Sequence, residues 1–232
     1  MNSNKAIFVL GISLIISSLI FGIFYFNKRP LNSITVVGLA KDSISSDRIK
    51  WSLTISRQVG LNDKQSYVVA QKEYLQLVNF LLNAGIKNDE IIRKPLISNP
   101  NYSNNGINGY ILDQTLVVIS DNLALVEKFA FDLTPMYQQN SNIKSSNVEY
   151  FVSDLSEKKQ ELLRKATLDA KKRAESIVLD SDSKLGVIQE AKVGVFQITE
   201  PYSVEFASYG LYNTSVKEKD ISVTVRVTFE LK

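Results

Sequence analysis

Asp180 and Asp182, in the run LDSDSK, are two carboxylates at a spacing that could serve a calcium loop or an acid and base pair. A calcium loop needs further spaced Asp or Asn ligands and a distal Glu, and those are missing, so the pair reads as a solvated helix end. Asp89 and Glu90 follow a helix stop and read as turn and strand-edge residues. A cationic cluster, Lys158, Lys159, Arg164, Lys165, Lys171, Lys172 and Arg173, would suit anionic lipid or nucleic acid. Glu157, Glu161, Asp169 and Glu175 are interleaved with it, two of them at i,i+4 to Lys165 and Arg173, so an ion-paired, solvated helix face is the better reading. The chain has no cysteine and no histidine. That removes disulfides, thiol nucleophiles, lipid-attachment cysteines, serine-histidine triads and Cys/His zinc sites. Neither a dinucleotide fingerprint nor a P-loop occurs. No catalytic, cofactor-binding or metal-binding residue is assigned, and a non-enzyme is expected. An enzyme built on carboxylates alone finds no paired Asp/Glu spacing to support it.

Two further stretches could bind rather than react. Tyr202 to Lys219 sets Phe206, Tyr209, Leu211 and Tyr212 in a loop-like stretch between strands. Loop aromatics are either anchors for a partner subunit or the cover of a sheet edge, and both readings stand. The second stretch is an Asn-rich loop, NPNYSNNGIN, at 99–108. Asn101-Tyr-Ser103 and Asn213-Thr-Ser215 match the glycosylation acceptor pattern, a short match common by chance.

From Ala6 to Phe26 the chain carries 21 residues without a charge, about 30 Å at helical rise and enough to cross a bilayer. Phe24, Tyr25 and Phe26 and then Lys28 and Arg29 follow, where a cleaved signal would show small residues, so an uncleaved anchor is expected. Lys5 opposes Lys28 and Arg29 across this segment, and charge alone does not orient it. Three of the 27 basic residues lie within residues 1–29, where there is no acid. The body is left with 24 basic against 24 acidic residues, a neutral balance that argues against nucleic acid.

The elements that must position any site follow from the hydrophobic periods. Ser33 to Lys41 and Asp47 to Gln58 read as strands, with Trp51 on an inward position. Asn62 to Ala84 is a helix capped by Asn62 and stopped by Gly85, with the stripe Tyr67, Ala70, Tyr74, Leu77, Val78 and Leu81. Glu90 to Ser98 and Gly109 to Ser120 form a strand pair around the Asn-rich loop, and Asp121 caps a helix that runs to about Leu133 and stops near Pro135. Ser146 to Val152 leads into the longest helix. There Leu155, Leu162, Leu163, Ala166, Ala170, Ala174 and Ile177 share a face, Asp154 or Ser156 caps the start, and Gly186 ends the following turn. The alanines predict close packing on a sheet or another helix. Val187 to Thr199 reads as one strand, and Ile221, Val223, Val225, Val227, Phe229 and Leu231 alternate with polar residues in the last. The fold class is α+β: antiparallel sheet with helices on one face, preceded by one N-terminal transmembrane helix. The divisions are residues 1–30, a cytoplasmic tip and anchor, and 31–232, an α+β domain compatible with two similar lobes.

Three blocks in order resemble the SIMPL domain family: ITVVGLAKDSISSDRIKWSLTIS; then LLNAGIKNDEI with Pro100, Tyr102 and GYILDQTLVV; then Ala166, Ala170, Arg173-Ala174, Leu185-Gly186-Val187 and the last strand. Ser46 stands where that family usually has proline, and LDSD replaces a Leu-Gly pair. The resemblance implies an extracytoplasmic α+β protein behind a signal or anchor, with the amino terminus in the cytoplasm. It also implies homo-oligomers, ring-like in some relatives, and links to envelope integrity or oxidative-stress tolerance. It carries no catalytic residues. The expected partners are the membrane, further copies of the chain and an envelope protein, with no nucleic acid and no cofactor.

Overall fold

The structure is a computed structural model that describes residues 3–26, 32–104, 106–139 and 142–232, with side chains in the first helix from 11 to 23. That helix, α1, is Ser3–Phe26, and the side chains described along it are all exposed. Among the described residues no helix is long and apolar enough to cross a membrane. The flanking Lys5, Phe24, Tyr25, Phe26, Lys28 and Arg29 lie outside the described side chains. Among the described residues nine strands and four further α-helices follow: β1 Ser33–Ser45, β2 Arg48–Val59, α2 Lys64–Asn83, β3 Ile91–Ser103, β4 Gly106–Ser120, α3 Leu123–Phe131, α4 Thr134–Tyr137, β5 Ile143–Phe151, α5 Ser156–Val178, β6 Leu185–Val193, β7 Gln197–Thr199, β8 Leu211–Tyr212 and β9 Glu218–Leu231. The class is α+β: the β2–β4, β2–β5, β3–β4, β6–β9 and β7–β9 ladders are antiparallel, and the β7–β8 pair is parallel. The chain divides into two compact units, 1–40 with 161–194 and 223–232, and 41–160 with 195–222.

The larger unit is built on the sheet β3-β4-β2-β5. Ile49, Trp51, Leu53 and Ile55 alternate along β2 onto one face and bury against Tyr74, Leu77, Val78 and Leu81 of α2 and Val126 and Phe129 of α3. Period 2 on the strand meets period 3.6 on the helices, and each buried Leu or Ile contributes roughly 1.5–3 kcal/mol. Trp51 is core, its indole Nε1 donating to Ser146 Oγ at 2.8 Å. Helices cover this one face, while Thr54 and Thr115 hydrogen-bond each other on the opposite one at 2.9 Å. Gly85, at φ 103°, ends α2 as the sequence predicts.

The smaller unit places α5 against β1. Leu162, Ala166, Ala170 and Ala174 are the buried stripe, as expected from their spacing. Gly38 of β1 is what they meet: a Cβ there would stand 2.0 Å from the Ala166 carbonyl oxygen and 2.8 Å from the Ala170 Cβ. Strand and helix touch backbone to backbone, which only Gly against Ala permits. Leu39 N donates to Asp169 Oδ2 at 2.8 Å, so an acid read as solvated also ties β1 to α5. The alternation of β9 is as predicted, with Val223, Val225, Val227 and Phe229 buried.

Several expectations are corrected. The caps are Asp63, accepting from Ser66 N, and Asn122, accepting from Leu125 N, in place of Asn62 and Asp121. Pro135 opens the short α4 instead of merely stopping α3, since its fixed φ and missing N–H suit a first turn. The Asn-rich loop belongs to a long β3–β4 hairpin whose ladder runs as far as Ser103 paired with Gly106. Of the two caps expected for α5, Asp154 is the acceptor, its Oδ1 taking the bond from Ser156 N, the first residue of the helix. Ile177 is 62% exposed because the buried line advances in fours to Ala174 and Val178, leaving Ile177 beside it. Gly186 lies within β6, and 187–199 is two strands, β6 and β7.

Candidate functional site

The carboxylates and cations singled out from the sequence do not converge. Asp180 and Asp182 lie exposed in the turn after α5, and Glu90 accepts from Ser120 Oγ at 2.7 Å and from Lys87 N at 2.9 Å. Among the described residues no group of three or more acidic side chains could hold a metal ion. Lys165 pairs with Glu161 at 2.8 Å and Arg173 with Asp169 at 2.7 Å, the ion-paired helix face expected.

The stretch from 197 to 219 is where the structure departs from a plain fold. Strands β7 and β8 pair in parallel, Gln197 with Leu211 and Ile198 with Tyr212, so the ends of the loop between them are held side by side. That makes 200–210 an Ω-type loop. Its tip presents Tyr202, Val204, Phe206 and Tyr209 at 96%, 98%, 74% and 88% exposure. Loops this apolar usually fold back onto their own domain, because exposed apolar area costs about 25 cal/mol per Å². Here the backbone is pinned instead. The side-chain amide of Gln197, buried, donates to Ala207 O at 2.8 Å and accepts from Ala207 N at 3.3 Å. Gly210 N donates to Ala207 O at 3.0 Å, and Gly210 takes φ 94°, where a side chain would be strained.

Asp220 holds the other end. Its carboxylate pairs with Lys41 Nζ at 2.8 Å, accepts from Ser43 Oγ at 3.0 Å, and is bonded by the Tyr202 backbone. The Lys41 hydrogen bond, with those of Ser43 and Tyr202, holds its carboxyl below the usual range against the opposing effect of burial. Tyr202 sits at φ 63°, the non-glycine residue in that region among the described residues. A left-handed tyrosine costs on the order of 1 kcal/mol and persists only where surrounding bonds determine it.

The base of the loop is fixed on β5. Tyr212 stacks on Phe151, ring centroids 6.2 Å apart, and its hydroxyl accepts from Val152 N at 2.9 Å. Tyr150 N donates to Thr214 O at 2.7 Å, and Asn213 Oδ1 accepts from both the amide and the hydroxyl of Ser215. Tyr150 OH donates to Glu127 Oε1 at 2.9 Å, and Lys217 Nζ lies 3.5 Å from the same carboxylate. Burial, then the Glu127 hydrogen bond, pushes the Tyr150 phenol up to about 12. Lys219 is fully buried, its ammonium donating to Val216 O and lying 5.9 Å from the Tyr150 ring centre. Burial pulls its pKa below the ordinary lysine value. A desolvated lysine is a nucleophile in some enzymes. This one has no exposed surface for a substrate to reach and acts as an internal strut.

Of the four residues singled out in this stretch, Phe206 and Tyr209 are at the tip, while Leu211 and Tyr212 belong to the base. Tyr202, Val204 and the clamps Gln197 and Asp220 were not identified from the sequence. The one available signal was polar residues at the start of β9 and in β7 where apolar ones would continue the pattern.

The family model for SIMPL, described as a protein of unknown function (DUF541), matches residues 34–230. No curated protein matches the chain.

Proposed function

The chain belongs to the SIMPL family over residues 34–230, and from that premise we propose a membrane-anchored, extracytoplasmic, non-enzymatic protein that self-associates. The observation that carries this reading is the pinned aromatic loop. An ordered backbone presenting four apolar side chains has little conformational entropy left to lose on binding, so contact area converts more fully into affinity. A protein-binding role fits aromatic anchors on a rigid support.

Anchoring is supported by α1, whose described side chains are exposed on every side, with Ser18 Oγ satisfied internally by Ile15 O at 2.9 Å. The uncharged run from Ala6 to Phe26 within it suits lipid. The body then lies outside the cytoplasm, the amino terminus inside, and the assembly takes ring-like form as in some relatives. Roles in envelope integrity or oxidative-stress tolerance rest on the family resemblance alone. A second reading, an accessory module of an envelope complex, draws on Tyr102 and Ile97, exposed on the β3 edge, where an extended partner segment could add a strand.

The test is the absolute mass of the full chain in detergent, by light scattering across a concentration series. A discrete multiple of 26.1 kDa that survives dilution is expected. A protomer mass at every concentration would exclude self-association and favour the accessory reading.

A further inference from the structure

The aromatic loop needs a receptor of matching chemistry, and the chain carries one. Between β1 and α5 in the smaller unit lies an open groove of about 580 Å³, lined by Val37, Lys172, Arg173, Ser176 and Ile177 among others. Val37 is 42% and Ile177 62% exposed, so its floor is apolar and uncovered. Its lining holds two cations and no acid; even counting Asp169, which Arg173 pairs with, one positive charge is in surplus. The loop has the opposite balance. From 193 to 216 the sequence has no Lys or Arg, and Glu200 and Glu205 are exposed beside the aromatic tip. Opposite charge around an apolar centre gives both attraction and register.

We propose that the loop 200–210 of one copy seats Phe206 and its aromatic neighbours in the β1–α5 groove of a second copy. The inference rests on the self-association reading and names its surfaces. Because loop and groove are different patches, the contact is head-to-tail, the kind that closes into a ring or runs on as a filament.

The absence of cysteine makes the contact directly readable. In full-length chain in detergent, Phe206→Cys mixed with Ile177→Cys is expected to form an intermolecular disulfide, while Phe206→Cys mixed with Leu75→Cys, an exposed position on α2, is not. Both reporter sites are exposed, so neither change should disturb folding. Removal of the tip (Tyr202→Asn, Phe206→Ser and Tyr209→Ser, the asparagine chosen to keep the left-handed backbone) should weaken association by at least about 100-fold, as should Ile177→Asp with Lys172→Glu. A one-to-one mixture of the two defective variants retains a single competent interface and should give a dimer and nothing larger. A loop variant that keeps the wild-type mass overturns the loop–groove contact while self-association stands, and so does one that keeps the mass but loses a co-purifying foreign chain. A wild type that is monomeric throughout overturns both.

Discussion

A methyl group at residue 38 has no room: its carbon would fall 2.0 Å from the Ala166 carbonyl oxygen, a backbone atom that cannot rotate away. Gly38→Ala must push β1 from α5, and overpacking of this sort costs about 1–3 kcal/mol, so calorimetry should show Tm lower by roughly 3–10 °C. An unchanged Tm would mean that strand and helix are not in backbone contact. The alanine stripe was legible because helical periodicity is local; its partner Gly38 was not, because 128 residues separate it from Ala166 and one Gly in a strand carries no address. Tyr150 gives a second prediction at this scale. The fold raises its phenol from 10 to about 12, favouring the neutral form, so its contribution is complete below pH 10 and is lost as pH climbs from 10 to 12. Lys219 works in the opposite direction, since a lowered lysine pKa makes the fold gain as pH rises towards 10.5. Tyr150→Phe isolates the first effect. It should cost about 1 kcal/mol at neutral pH through the lost Glu127 bond, yet show a shallower alkaline fall in chemical denaturation, by on the order of 2 kcal/mol across that window. Parallel alkaline limbs in the two proteins would show that Tyr150 does not titrate in this way.

The loop 200–210 behaves as an element of its own, with Gln197 as its fastening. Gln197→Ala leaves both backbone groups of Ala207 without that partner. Hydrogen exchange of the Ala207 amide should then speed about tenfold, as loss of a bond worth about 1–1.5 kcal/mol requires, while protection in β2 and β4 stays unchanged. Equal loss across both regions would make Gln197 a general core residue and not a loop clamp. Element identities were readable wherever apolar residues kept a period, as in β2, α2 and β9, and the boundaries failed for identifiable reasons. Asn62 stands next to Asp63 and Asp121 next to Asn122, two capping-competent residues in a row, and the backbone leaving the preceding turn or strand decides which one caps. The run 187–199 looks like one strand because Val193, Val195 and Ile198 continue its apolar character. A would-be Cβ at Gly194 lies 2.6 Å from Thr224 Oγ1, and the ladder resumes only at Gln197. The loop's own conformation was unreadable, since a tyrosine at φ 63° contradicts residue preference and is fixed by Asp220, 18 residues downstream.

Two compact units emerge from a body that composition presents as continuous, because three of their four boundaries fall inside β1, α5 and β9 and the fourth in the short link between β6 and β7, where no linker chemistry marks them. The proposed anchor is the reverse case, a reading that rests on composition: 21 uncharged residues in a row, although among the described residues no helix is long and apolar enough to cross a membrane. Its direction is not written in the charges, for Lys5 and the amino terminus nearly balance Lys28 and Arg29. The aromatic loop supplies a physical constraint of a different kind. If loop and groove meet between copies, every body must lie on one side of the bilayer, since a mixed orientation would leave loops without receptors and α1 helices pointing both ways. Uniform orientation is thus an expectation of the proposed assembly. Spheroplasts carrying a single cysteine at Ser181, exposed beyond α5, should label with a membrane-impermeant maleimide before lysis, and those carrying one at Asn2 only after it. Labelling of both before lysis would indicate mixed insertion and remove the geometric basis for a head-to-tail ring; the reversed pattern would place the body in the cytoplasm and leave the loop to partners there.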